Sequence, residues 1–187
     1  MEKKEALSVI SEKLAEGQSK QEIYTALLSK VSFKSDLMQY LAMVPTQEDR
    51  IKCNRLNKTL FYLLMAITVL RLLVAALILC QISLLAVPLA VIVPFLSFYF
   101  ALAVYRFRGN MYRPLGMIGI AGLLKQISTM ENILASTPIE ITLEILFCIL
   151  SLLVIILAYY IGAKAFPHYG FWGNLNEKAM KLTVDPG

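Results

Sequence analysis

From Thr59 to Tyr105 the only charged residue in an otherwise apolar stretch is Arg71. At ~1.5 Å rise per residue, a helical run of ~47 residues is about twice what a ~30 Å hydrocarbon layer needs. Such a stretch must cross, turn and cross back. Composition agrees: hydrophobic residues make up 58% of the 187 and charged residues 17%, against about 45–50% and 25% in a soluble domain. The charge sits elsewhere, with Lys3, Lys4, Lys13, Lys20 and their acidic neighbours crowding the first 58 positions. The expected fold is all-α, an integral membrane four-helix bundle with a small cytosolic N-terminal helical domain.

That head, residues 1–57, reads as three short amphipathic helices. The first spans about Lys3 to Ala15, with Leu7, Ile10 and Leu14 at helical spacing, and Gly17 ends it. Ser19 opens the second. Glu22 three residues later makes a capping box, because hydroxyl and carboxylate satisfy orphan backbone N–H groups reciprocally. The third follows Ser32 or Ser35, presents Phe33, Leu37, Leu41 and Val44, and closes at Pro45. Thr46 to Asp49 then starts a helix, with acids in its first turn, that can run directly into the first crossing. The segment from Glu16 to Lys30 has the helix–Gly–helix spacing of a DNA reader. Its second helix is near charge balance, however, where a recognition helix must be basic, so no nucleic-acid partner is expected. The first residues are charged and amphipathic and lack the apolar core of a secretory signal, so the head is expected to stay in the cytosol.

The transmembrane domain, 58–164, is expected to cross at 59–80, 84–105, 114–135 and 140–163, leaving a cytosolic tail, 165–187. Cys80 to Ser83 reads as a short uncharged connection, and Pro88 and Pro94 should bend the second crossing. Arg106, Arg108 and Arg113 follow it, and Arg50, Lys52, Arg55 and Lys58 precede the first. Basic residues collect on the cytosolic side, so two crossings between these clusters satisfy the rule. The stretch 114–135 is less apolar and could instead lie in the interface as an amphipathic helix. If it crosses, Lys164, Lys178 and Lys181 fall on the cytosolic side too, which favours four crossings with both termini cytosolic.

Arg71, near the middle of the first crossing, is expensive to bury in lipid unless it pairs, faces a helix interior or snorkels. Lys125, Gln126, Glu131 and Glu144 lie at depths that let them join it in an intramembrane polar cluster. Such a cluster could bind an anion, a lipid headgroup or a proton, or could simply fix helix assembly as a buried ion pair. Gly116, Gly119 and Gly122 recur every third residue and allow close backbone approach, so they are candidate helix-packing positions. Phe166, His168, Tyr169 and Trp172 in the tail form a candidate interfacial belt at headgroup level.

His168 is the single histidine, so one chain cannot build a histidine-based metal site. Cys53, Cys80 and Cys148 are too scattered for a disulfide framework or a metal pair. Nucleophile-elbow, phosphate-loop, zinc-protease and dinucleotide signatures are all missing. No catalytic residue, cofactor or metal is expected. The layout looks like that of many small bacterial inner-membrane proteins, a likeness of arrangement that carries no functional residues across. The expected place is therefore a bacterial inner or plasma membrane. The expected function is a non-enzymatic, membrane-anchored interaction or scaffold protein whose head and tail bind a cytosolic protein partner or form a homo-oligomer. The alternative is a subunit of an oligomeric channel or transporter built around Arg71 and Lys125.

Overall fold

The computed structural model describes residues 3–29, 34–82, 94–133, 137–172, 174–176 and 180. Among them the chain is all-helical, with seven α-helices and one 3₁₀ turn: α1 Lys3–Ala15, α2 Lys20–Leu27, α3 Lys34–Met43, α4 Gln47–Ile82, α5 Phe95–Tyr105, the turn Gly109–Met111, α6 Tyr112–Ile133 and α7 Pro138–Ala165. The remaining β-type pairing is an isolated bridge between Tyr169 and Leu175.

Local signals place the ends of several helices. Gly17 adopts φ +86°, a left-handed conformation that costs a side-chain-bearing residue energy and that glycine takes freely. The Ser19 hydroxyl accepts from the Glu22 backbone N–H at 3.2 Å, and the Glu22 carboxylate accepts from the Ser19 N–H at 2.8 Å. That exchange holds the Glu22 carboxyl below its ordinary range. At α4 the Asp49 N–H donates to the Thr46 hydroxyl at 3.2 Å. At α7 the Thr137 N–H donates to the Glu140 carboxylate at 3.0 Å. Glu140 is thus a capping residue for α7.

Helix α4 continues from the head into the apolar stretch without a break and spans 36 residues, ~54 Å at ~1.5 Å per residue. It passes through Cys80, Gln81 and Ile82, so the connection expected there does not begin before residue 83. No proline or glycine interrupts its sequence from 47 to 82, and helical hydrogen bonding propagates cheaply once nucleated.

Two helices are long and apolar enough to cross a membrane: Gln47–Cys80 within α4, and Pro138–Ala165, α7. The core helix of a soluble protein would be mostly buried, but only 17% and 22% of these two apolar windows are buried within the molecule. Val69, Leu73 and Leu77 on α4 and Ile149, Leu152 and Ile156 on α7 all stand exposed. The other two expected crossings do not meet the same criteria. α5 is described over 11 residues, too short alone for a ~30 Å layer, and residues 83–93, with Pro88, lie outside the described residues. α6 has 22 residues, adequate in length, but Lys125, Gln126 and Glu131 make its second half too polar.

The chain divides into two compact units. One comprises Met1–Arg55, Phe107–Pro114 and Tyr159–Gly187; the other comprises Leu56–Arg106 and Leu115–Ala158. In the first, α3 packs on α1, α2 and the 3₁₀ turn, around fully buried Ile10, Ile23, Leu37 and Leu41. In the second, the buried Asn57 side-chain amide donates to the Val104 carbonyl at 3.0 Å, tying α4 to the last turn of α5. On α6, a Cβ added at Gly119 would stand 2.7 Å from Ile155 Cγ1 of α7, so these helices touch where the glycine leaves room.

Ser19→Ala should cost about 1 kcal/mol, the usual value of an N-cap hydroxyl. Thermal unfolding followed by far-ultraviolet circular dichroism checks this, and an unchanged midpoint would show that α2 does not depend on its cap.

Candidate functional site

The expected intramembrane cluster forms only in part. The Gln126 side-chain amide on α6 donates to the Glu144 carboxylate on α7 at 3.3 Å. Together with the contact of Gly119 and Ile155, this pairing makes α6 and α7 antiparallel neighbours. Arg71 does not join them through an ion pair among the described residues. Its guanidinium carbon lies 5.6 Å from the centroid of the buried Phe147 ring. Phe147 is three residues past Glu144 on α7, so the two share a helix face. A cation over an aromatic face is attracted to the ring quadrupole, by about 2 kcal/mol or more where water is excluded. Lys125 is exposed, and the Glu131 side chain lies outside the described residues. Of the three glycines, Gly119 meets Ile155, Gly122 faces open space and Gly116 is buried.

A denser constellation occupies the other unit, where the arginine-rich loop meets the end of α7 and the tail. Phe107, Tyr112 and Phe166 form a ring cluster. Tyr112 stacks on Phe166 with centroids 5.4 Å apart, and Phe107 lies 6.1 Å from each. Tyr112 and Phe166 are 0% and 1% exposed. Burial pushes the Tyr112 hydroxyl far above its ordinary value. Phe107 takes a left-handed φ of 54°, a strained conformation for a bulky residue that aims its ring into this cluster. Gly109 lies under Phe166 so closely that a Cβ would stand 2.3 Å from the ring.

Beside this cluster, the Arg113 guanidinium sits over the Tyr159 ring, 5.3 Å from its centroid. The Arg113 side chain crosses α7 at Gly162, whose missing Cβ would lie 3.3 Å from Nε. Tyr159 in turn stacks on Phe171, centroids 5.0 Å apart, and Trp172 meets Phe171 edge-on. Phe171 and Trp172 are 54% and 66% exposed. Arg113 Nε and the Tyr159 hydroxyl are both buried without a hydrogen-bond partner among the described residues, and so is the Tyr169 hydroxyl. A buried donor left unsatisfied costs about 1–3 kcal/mol. The expected tail belt is thus divided: Phe166 and Tyr169 are core residues, His168 is half-buried, and Trp172 with its neighbour Phe171 is the exposed part.

The same unit buries a cation. Lys20 is 8% exposed, and removal from water lowers its pKa to about 8, with the Asp49 carboxylate opposing. Burial and the Lys20 charge both lower the pKa of His168, and Asp49 again opposes. Asp49 thus favours the charged forms of both Lys20 on α2 and His168 in the tail, against burial in each case.

Lys20, Gly109, Arg113 and Tyr159 escape a reading of the sequence as site residues. Lys20 does leave a trace, since it shares a helical stripe with Ile23 and Leu27 at spacings of three and four, and all three are buried. The pairing of Arg113 with Tyr159 leaves none, because it joins positions far apart in the chain.

Between pH 8 and the ordinary lysine value of 10.5 the folded chain holds fewer protons than the unfolded one, so the Lys20 contribution to stability rises with pH across that window. The full penalty, present below pH 8, is on the order of 3 kcal/mol. Burial pushes Tyr169 up to about 12 and also raises Cys53, effects that act in the opposite direction, so the comparison must be with Lys20→Met. The difference in unfolding midpoint between the two proteins should shrink as pH rises from 8 to 10, and a constant difference would mean that Lys20 does not titrate abnormally. Gly109→Ala should destabilise by about 1–3 kcal/mol through overpacking against Phe166, read as a lower unfolding midpoint in detergent.

No family model, curated protein or solved structure matches the chain.

Proposed function

We propose that the chain is a non-enzymatic, multi-pass membrane protein that displays one composite cytosolic unit for binding a protein partner or a second copy of itself. The observation that carries this reading is the make-up of that unit, which draws on the head, the arginine loop and the tail. Residues 56–106 and 115–158 are then excursions that leave the unit and return to it. Each includes most of one helix long and apolar enough to cross. An excursion that crosses once must cross again to return, so in this reading α5 and α6 belong to the second leg of each pair. The contact of Gly119 with Ile155 and the Gln126–Glu144 hydrogen bond support this for α6. They give Gln126 a partner on α7, as a polar group in lipid needs. Head, arginine loop and tail all carry basic residues and share one side, as basic residues do on the cytosolic face.

The polar residues of the spans also favour an interaction protein over a transport subunit. Glu144 is engaged by Gln126 and Arg71 by Phe147 within the single chain, which leaves these groups serving assembly of the helices.

Single-cysteine variants Arg108→Cys and Lys164→Cys, made in a background without native cysteines, should react with a membrane-impermeant maleimide only after the cells are permeabilised. Labelling of the two from opposite sides would refute the topology. Lysine crosslinking in native membranes should join the cytosolic unit to another protein or copy, and deletion of residues 1–45 should abolish the adduct. An adduct that survives the deletion, or ion flux in liposomes that Arg71→Lys abolishes, would refute the interaction role.

A further inference from the structure

We propose that Arg113 and Tyr159 form a binding site for the phosphate of an anionic phospholipid headgroup, with Phe171 and Trp172 as its apolar wall. Arg113 has no carboxylate partner among the described residues, and its guanidinium rests on the face of Tyr159. Its Nε and the Tyr159 hydroxyl are buried without hydrogen-bond partners among the described residues. Nε can only donate and the hydroxyl can donate as well as accept, so one acceptor can serve both, and the positive charge beside them favours an anionic one. The planar guanidinium presents parallel N–H groups that match a phosphate edge. Gly162 keeps the Arg113 stem against α7, which fixes the position of the donor pair.

The identity of the anion comes from what surrounds it. Tyr159 stacks on Phe171, with Trp172 edge-on to Phe171. These two rings are among the most exposed large apolar groups of the unit. A free phosphate in water has no use for such rings, whereas the glycerol and upper acyl region of a phospholipid does. Phenyl and indole rings settle at headgroup depth, where one edge is apolar and the other wet. Arg113 and Tyr159 are each half-buried as residues while Nε and the hydroxyl are enclosed, so a phosphate reaches the two donors by an outward shift of these side chains. The inference rests on the membrane reading above only for the source of the lipid, since binding can be measured in detergent without reference to sidedness.

The test uses the full-length protein in a neutral detergent, titrated with short-chain phosphatidylglycerol, with phosphatidylcholine of equal chain length and with inorganic phosphate. Binding is followed by Trp172 fluorescence. Wild type should bind phosphatidylglycerol about tenfold or more tighter than phosphatidylcholine, the scale of one charge-assisted hydrogen bond. Arg113→Gln should abolish that preference, and Tyr159→Phe, which keeps the ring and removes only the hydroxyl, should weaken phosphatidylglycerol binding about fivefold with a lipid-free unfolding midpoint no lower than that of wild type. A preference that survives in both variants, or none in wild type, overturns the site. Inorganic phosphate binding as tightly as phosphatidylglycerol, with the same sensitivity to Arg113→Gln, overturns the lipid assignment. Failure of any of these leaves the maleimide labelling pattern untouched, so the two readings fall separately.

Discussion

Apolar helix surface that a chain does not cover itself must be covered by something other than water. α4 and α7 present this condition directly, with leucine, isoleucine and valine standing outward along helices long enough to cross a bilayer. At ~25 cal/mol per Å² of apolar surface, leaving such stripes in water is costly, and helices meet the further demand of lipid by satisfying their own backbone. The Gln126 side-chain amide donates to the Glu144 carboxylate between α6 and α7, and Arg71 is accommodated on an aromatic face.

The other unit is held together by different means. Its α1–α3 core is a small cluster of aliphatic side chains, of a size that is marginal by itself. The loop from Phe107 to Pro114 and the chain from Tyr159 onward add the ring cluster of Phe107, Tyr112 and Phe166. These are the bulkiest buried groups available, and aromatic pairs in tilted or offset geometry contribute beyond their area. The accompanying costs are local: a left-handed Phe107, a glycine enforced at 109 and a lysine kept out of water at position 20. Strain and buried charge persist where surrounding packing over-determines them, and they gather here rather than along the long helices.

Helix starts and stops are legible in the order of residues alone. The Ser19–Glu22 box, the left-handed Gly17 and the uninterrupted passage from the head into the first apolar stretch are all short-range matters, decided within one or two turns by backbone hydrogen bonding. The glycine row of α6 is readable as a packing surface but not as a specific contact. Gly119 is the position that receives Ile155, while Gly122 meets nothing, because helix crossing geometry selects one residue in such a row. The expected polar cluster is larger than the one that forms, for a similar reason. Depth along an axis follows from counting residues, but rotation about that axis does not, and rotation sends Arg71 to Phe147.

The sequence alone determined where several helices start and stop and which two stretches are most apolar, because hydropathy and capping act over a few residues or one helix length. Only the tertiary structure decided that the head, the arginine loop and the tail belong to one unit, that Phe166 and Tyr169 are core while Phe171 and Trp172 are surface, and that Arg113 meets Tyr159. Those outcomes depend on contacts between segments separated by tens of residues, and their partners are chosen by shape, volume and the cost of leaving a donor unpaired, none of which is written at a single position.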